Sequence, residues 1–520
     1  MHSGLARRYH DRTAHSPESV RTSAHVLDWD IKPFPFKVYT ELPGRALPRE
    51  LDPVAADALR ALAAPAPVVG RMNVETLTAL LYYSAGVTKK KTYPGGGEVL
   101  FRAAPSTGAL YQTEVYVAAG EVEGLEPGLY HFCPGDFALR RLRSGDVRRA
   151  LADAAADESV ARRAATVLLT AIYWRNTWKY QARGYRHLFW DSGTLLANLL
   201  AVGGALGLAP RLLTGFVDAD VNRLLGVDVA REAALELVTV GPEGVPAPPV
   251  TTLDEIRHSV MPLSADEVDY PLLRELHAAS SLASPAAVMA WRRGGATAAA
   301  GRTRASEGTP RALVPLPAPR EAAGRALGET IERRGSTRQF GHEALTAAEL
   351  STALRTATLP VAADVPQGLV DLYLIVNAVE GVPPGAYVYR GDAHALELLK
   401  PGELRRESAY LCLEQALGGD AAAVVYCLAQ LDDVFRAFGD RGYRLANLEA
   451  GIVGGRAYLA AYAQGFGASG LTFYDRMVVE FFAPHAQGKD AIFVTALGRS
   501  AASGRVTIGG TFGPSRRPSA

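Results

Sequence analysis

The sequence predicts an α+β protein made of two copies of one domain, and three observations carry that prediction. The chain has 520 residues, past the size at which a single core keeps growing, so two domains of roughly 200–250 residues are the natural expectation. An Arg-Gly-Tyr-Arg core at Arg183–Arg186 recurs 258 residues later at Arg441–Arg444. Each copy is followed by an acid five residues on, Asp191 or Glu449, and then by Gly193 or Gly451. Upstream, Glu123-Gly124, Gly128, Tyr130, Leu139, Gly145 and Arg148-Arg149 reappear 257 residues later as Glu380-Gly381, Gly385, Tyr387, Leu396, Gly402 and Arg405-Arg406. A period this long is a duplicated fold and not a repeat array.

Composition narrows the function classes. Lys+Arg 55 against Asp+Glu 54 gives a net charge of +1, which offers no global attraction to nucleic acid or an anionic membrane. Cys133, Cys412 and Cys427 lie far apart and form no CxxC, so no metal site is expected and a reducing cytoplasm is the simplest setting. The most apolar run, Thr194 to Pro210, is interrupted by Asn198, Gly203 and Gly204 and is short for a membrane span; it reads as a buried core helix.

Taken in order, the polar opening is followed by Pro33-Phe34-Pro35-Phe36-Lys37-Val38-Tyr39, an extended segment expected to lie over a surface. Helical periodicity begins at Val54 and returns from Val74 to Tyr83. Lys89-Lys90-Lys91, leading to Pro94-Gly95-Gly96-Gly97, is expected to be a solvated loop. A turn at Pro105-Ser106-Thr107-Gly108-Ala109 leads into a strand from Glu114 to Val117, and the closing strand of the first copy covers Glu236 to Val240. The expected boundaries are 1–283 for the first domain, 284–320 for an Ala-, Arg- and Gly-rich linker, and 321–520 for the second. The second copy opens with a helix from Glu321 to Glu332 and closes with a strand from Ala491 to Leu497.

The copies differ in complementary ways. Arg334, Ser336, Arg338 and Arg499 in the second copy are guanidinium forks plus a hydroxyl of the kind that grips a phosphate. The first copy lacks such a set. Conversely, the turn at Pro105–Ala109 falls, 257 residues on, at Ala362-Ala363-Asp364-Val365-Pro366. Lys179-Tyr180 is replaced by Ala437-Phe438, and Ser469-Gly470 in the second copy faces Arg211-Leu212 in the first. Small residues let a backbone approach a flat ligand closely. The economical reading is a pseudo-dimer with one composite site. Lys179 is a candidate acid/base if burial lowers its pKa, and because adjacent helical residues do not share a face, it needs a helix end beside it to act with Tyr180. Asp191, Arg183 and Arg186 recur in type in both copies and read as structural.

Arg333-Arg334-x-Ser336-x-Arg338-x-Phe340 resembles the opening signature of the FMN-dependent nitroreductase superfamily. Arg102-Ala-Ala-Pro105-Ser106-x-Gly108-Ala109 and Lys179-Tyr180-x-x-Arg183-x-Tyr185-Arg186 resemble its SagB/ThcOx-type branch, the azoline dehydrogenases of peptide natural-product biosynthesis. The resemblance implies two domains, each a mainly antiparallel sheet flanked by helices, with one FMN between them. It implies that Arg334, Ser336, Arg338 and Arg499 hold the phosphate, ribityl or ring oxygens. Pro105, Ser106, Thr107 and Gly108 would contact the flavin from the other copy, with Ser469 and Gly470 near its reactive edge. It also implies that Lys179 and Tyr180 form the proton-transfer pair while flavin N5 accepts hydride. The acid-Ala-Gly-His run of the branch is Asp191-Ser192-Gly193-Thr194 here.

The implied reaction is oxidation of a thiazoline- or oxazoline-like ring in a small molecule or modified peptide, with dioxygen reoxidising the cofactor and a cyclodehydratase as partner. Two alternatives remain open at this point: an NAD(P)H-driven nitro or quinone reductase, and a weakly catalytic flavin-binding scaffold.

Overall fold

The computed structural model describes residues 4–63, 71–92, 97–249, 253–302, 312–501 and 515–516. The chain forms two seven-stranded sheets with the same strand order. The first runs, edge to edge, Gly44–Ala46, Ala138–Ser144, Gly128–Cys133, Thr113–Ala119, Arg163–Ile172, Glu232–Glu243 and Arg211–Leu213. The second runs Leu313–Pro315, Ala395–Pro401, Gly385–Arg390, Val370–Val376, Ala423–Ala429, Asp490–Gly498 and Gly467–Gly470. Every neighbouring pair in both is antiparallel. The α+β expectation and the duplication are therefore both realised strand for strand.

The two halves meet through a pair of 22-residue helices, Gly184–Ala205 and Gly442–Ala463, that pack directly on each other. The glycines that recur after each acid explain how closely they pack. A Cβ on Gly193 would stand 2.6 Å from the Leu448 carbonyl oxygen, and one on Gly451 would stand 2.5 Å from that of Trp190. The run Thr194 to Pro210 supplies the second half of the first of these helices, which ends at Ala205.

The Arg-Gly-Tyr-Arg cores join one copy to the other. Arg183 and Arg186 both donate to Asp475, at 3.0 and 2.5 Å. Arg441 and Arg444 both donate to Asp218, each at 2.7 Å. All six side chains are buried, and the guanidiniums hold both carboxyls well below the usual aspartate range. The motif is thus a cross-copy ion clamp made twice.

Four expectations are corrected. The segment from Pro33 to Tyr39 is not a surface strap: Phe36, Lys37 and Tyr39 are buried, and Lys37 Nζ donates to Glu232 Oε2 at 2.6 Å and to Tyr116 Oη at 2.7 Å. Much of the expected linker is the helix Pro285–Arg302, seated by Trp291, whose ring lies 5.5 Å from that of Phe438; residues 303–311 lie outside the described residues. Lys89–Lys91 are not a loop but part of the strand Val87–Thr92, paired with Glu98–Arg102. The helix before the second-copy cations also starts later than expected, at Leu327.

One buried carboxyl gives a pH signature. Glu236 Oε1 accepts from Ser192 Oγ at 3.0 Å, while Oε2 has no partner among the described residues. Burial pushes the carboxyl up to about 8. The folded state therefore holds a proton that the unfolded state releases near the ordinary value of 4.5. Its contribution to stability is fully present below that value and is lost as pH rises through about 8. Glu236→Gln is expected to flatten the fall in stability between pH 6 and 9, read by urea denaturation; an unchanged pH profile would refute this assignment.

Candidate functional site

Seven of the twelve expected site residues, Pro105, Ser106, Gly108, Lys179, Arg334, Ser336 and Arg338, line one cavity of about 480 Å³ that both copies build, within the roughly 300–1,000 Å³ range of small-molecule sites. The first copy supplies Pro105, Ser106, Gly108, Tyr111, Trp178 and Lys179; the second supplies Arg334, Gly335, Ser336 and Arg338. The lining holds seven cationic residues, Lys32, Lys89, Lys91, Arg102, Lys179, Arg334 and Arg338, and no Asp or Glu among the described residues. In a chain with a net charge of only +1, this concentration marks a site for an anionic ligand.

The turn at Pro105–Ala109 is held from below by Asp191. Its carboxylate accepts from Ser106 Oγ at 2.5 Å, from Thr107 N at 2.8 Å, from Thr107 Oγ1 at 2.7 Å and from Gln112 Nε2 at 2.7 Å. Burial raises this carboxyl to about 6 against the pull of those donors. The Ser106 and Thr107 hydroxyls are thereby committed to the scaffold; Thr107 does not line the cavity, whereas Pro105, Ser106 and Gly108 do. Gly108 has φ +66°, and a Cβ there would lie 2.9 Å from Tyr180 Oη. Both the backbone conformation and the close approach require glycine.

Lys179 and Tyr180 end the helix Tyr173–Tyr180, whose start is anchored by Arg175 on buried Glu114. Gln181 follows with φ +50°, so the chain turns where two adjacent side chains must diverge. Lys179 is exposed and lines the cavity mouth, so the burial on which its acid/base role was expected to rest is not supplied by the chain alone and would have to come from ligands covering the mouth. Tyr180 folds back over Gly108, with its ring 4.5 Å from that of His187. Burial, reinforced by Asp191 and opposed by Arg338, raises the Tyr180 phenol well above its ordinary value. The phenol is neutral near pH 7 and so is available as a hydrogen-bond donor.

On the second-copy wall, buried Arg334 donates from Nε to the Ala103 carbonyl at 2.9 Å and from Nη2 to the Arg102 carbonyl at 3.0 Å. It is tied to the backbone just before the opposing turn. Ser336 Oγ lies 3.2 Å from Tyr458 Oη, and Gly470 N donates to the same phenol. Ser469 and Gly470 stand behind that tyrosine and do not line the cavity, but Ser469 Oγ is buried without a partner among the described residues. Arg338 is exposed and has no ion pair among the described residues. Arg499 is placed elsewhere: its Nη2 donates to Glu349 at 2.8 and 3.0 Å, and it does not line the cavity.

Lys89 is a site residue that sequence reasoning set aside. Strand alternation points Lys89 and Lys91 to the cavity and Lys90 to the other face, where it pairs with Glu98. Lys89 Nζ crosses between the copies to the carbonyls of Arg333 and Arg334, at 2.8 and 2.7 Å. Burial, with the nearby Arg334 charge, lowers its pKa to about 8. The signal for this was an insertion. The capped helix starts at Asn73 and Thr346 are 273 residues apart, whereas the following strands are 257 apart, so the first copy carries extra chain where this hairpin stands. A roof over the cavity, Leu27 and Trp29 against Trp178, was also not foreseen; the two indoles meet edge to face at 5.3 Å.

The residues present suit FMN. They offer cations for a phosphate, a glycine turn for a flat ring, and an unbonded Ser469 hydroxyl near the second-copy wall.

Comparison with known proteins agrees with this architecture. The model of the nitroreductase family matches residues 50–242 and 331–499, one stretch in each copy. The chain is 29% identical over 171 residues to the putative nitroreductase MJ1384 of Methanocaldococcus jannaschii, covering 33% of this chain and 81% of that protein. It is 28% identical over 184 residues to the trifolitoxin-processing protein TfxB of Rhizobium leguminosarum bv. trifolii, covering 34% of this chain and 48% of TfxB. It is 26% identical over 140 residues to the microcin B17-processing protein McbC of Escherichia coli, covering 26% and 52%. The chain thus spans about half the length of the last two. The crystal structure of a putative nitroreductase from Anabaena variabilis superposes with a TM-score of 0.74 at 27% identity, covering 96% of this chain and 100% of that one. The tandem arrangement is matched as a whole.

Proposed function

This chain belongs to the nitroreductase family, and from that premise we propose that it is an FMN-dependent oxidoreductase of the SagB/ThcOx type, oxidising an azoline-like ring to an azole. One observation carries the reading: a single cavity brings the second copy's Arg334, Ser336 and Arg338 to the first copy's Pro105–Gly108 turn and Lys179. Bound FMN supplies the two-electron acceptor for such a reaction. Arg334, Ser336 and Arg338, joined by Lys89, hold its phosphate and ribityl oxygens, and Pro105 with Gly108 offers a close backbone surface to the ring. Lys179, covered by bound substrate, would take a proton from one ring carbon while the neighbouring ring carbon gives up its hydrogen with the bonding pair, as hydride, to the bound cofactor, leaving the new C=C bond of the azole. Tyr180, held neutral, donates a hydrogen bond to the substrate or to Lys179. Similarity to a trifolitoxin-processing and a microcin B17-processing protein favours a substrate of that processed kind, such as a modified peptide; the reading takes a cyclodehydratase as partner and dioxygen as terminal acceptor.

The test is the FMN content of the purified chain. One FMN per chain is expected, and Arg334→Ala is expected to release it while leaving the far-ultraviolet spectrum unchanged. Two FMN per chain would overturn the composite site, and none after reconstitution would favour a scaffold. NADPH-dependent nitro reduction faster than azoline oxidation would replace the dehydrogenase reading with a reductase.

A further inference from the structure

Pseudo-symmetry gives the cofactor cavity a counterpart, and that counterpart has been rebuilt. The inner end of the composite site is walled by Ser84, Thr113, Asp191 and Leu195. The corresponding residues Ala357, Val370, Glu449 and Val453 wall a second cleft of about 110 Å³. The parts that would hold a flavin there are occupied. Asp364, at the place of the Pro105–Ala109 turn, accepts from Thr214 N, Thr214 Oγ1, Gly215 N and Arg292 Nε, all at 2.9 Å. Leu212, the counterpart of Gly470 in the other copy by the 258-residue offset, forms a backbone bridge with Ala363.

What remains is an apolar cleft with one buried cation. Arg456 stands where the first copy has Asn198 and is 7% exposed. Its guanidinium donates to the Leu359 carbonyl and has no carboxylate partner among the described residues. The acid in the cleft is already engaged, since Glu449 accepts from the backbone N–H groups of Gly368, Leu369 and Val370. Burial lowers the Arg456 pKa to about 10, so it stays charged at neutral pH. A buried charge without a counter-ion is costly, and a carboxylate ligand meets a guanidinium fork with two parallel hydrogen bonds. The remaining walls, including Leu448, Ile452 and Val365, suit a short hydrocarbon chain.

We propose that this second cleft binds a short-chain apolar carboxylate, its carboxylate on Arg456 and its alkyl group against Leu448 and Ile452. The site is independent of the cofactor cavity and of the redox reading of the chain. Half-buried Val361, Ala363 and Pro366 form its rim, which gives a small molecule access without opening the core.

The experiment is calorimetric titration of the full chain with isovalerate, using isoamyl alcohol as the uncharged probe of the same shape, with and without added FMN. One isovalerate per chain is expected, weakened roughly ten- to hundredfold by Arg456→Met, the range for a hydrogen bond to a charged group. The alcohol should bind far more weakly, and FMN should leave isovalerate binding unchanged. Ala363→Leu, which fills the cleft and leaves Arg456 in place, is expected to abolish binding, and it decides the matter if Arg456→Met does not fold. No isovalerate binding, equal binding of the alcohol, retention of binding in either folded variant, or loss of binding when FMN is added would each overturn the proposal.

Discussion

Asp475→Asn is expected to destabilise the chain by about 3–5 kcal/mol, the cost of leaving a buried charge without its partner. The aspartate serves Arg183 and Arg186 of the other copy and also accepts from His15 N at 2.7 Å. Removing its charge strands two guanidiniums in a dry interface. Asp218→Asn should cost a similar amount, because it serves Arg441 and Arg444 in the same way. The informative control is Asp432→Asn. That carboxylate pairs with Arg7 at 2.7 Å but is 70% exposed, and surface pairs are worth only about 0–1 kcal/mol. Denaturant unfolding followed by tryptophan fluorescence checks all three. Equal effects at Asp432 and Asp475 would mean that the clamp does not hold the copies together.

Acid should act on the clamp in a defined direction. Both carboxyls are depressed in the folded chain, so their contribution is full above the ordinary aspartate value of 3.8 and is lost as pH falls below it toward the folded value. Above pH 5 the clamp should be insensitive to pH. Any stability change on the alkaline side belongs instead to groups such as Glu236.

Much of this was legible in the sequence because a duplication provides its own internal comparison. The 258-residue offset located the Arg-Gly-Tyr-Arg cores, the glycines where the central helices touch, and the division of Arg334, Ser336 and Lys179 between copies. The partners of the arginines were equally readable: Asp218 and Asp475 lie 257 residues apart. They were missed because acids without a local motif do not announce themselves. Lys89 was hidden for a different reason. An inserted hairpin has no twin, and a run of three lysines resembles a solvated face unless strand pairing is known to turn alternate residues inward. The helix Pro285–Arg302 escaped because, among the residues whose burial is described, Val288 and Trp291 are the large side chains that mark its buried side in a stretch of Ala, Gly and Arg. Arg499 is the opposite case. Its position at the end of the closing strand suggested a phosphate ligand, yet Glu349, a capping residue on a neighbouring helix, already engages it.

Lys179→Ala is expected to lower the rate of azoline oxidation by roughly 10²–10⁴-fold, the range for loss of a general base, with FMN content unchanged. The two readouts are separable because Lys179 sits at the cavity mouth and makes no hydrogen bond to the turn or to Arg334 among the described residues. Its exposure also means that replacing it should not unfold the helix, which is anchored at its other end by Arg175 and Glu114. Tyr180→Phe separates a positioning role from an acid role. The ring would still cover Gly108 and pack on His187, so only the hydroxyl is tested. A smaller loss than for Lys179→Ala, with the alkaline limb of the pH–rate profile unmoved, would assign the phenol to hydrogen-bond donation, whereas a displaced alkaline limb would assign it the acid role. If Lys179→Ala retained full turnover at normal flavin occupancy, proton removal would have to pass to another basic group lining the cavity. Lys89, lowered to about 8 and within the same cavity, is the group whose replacement would then decide the mechanism.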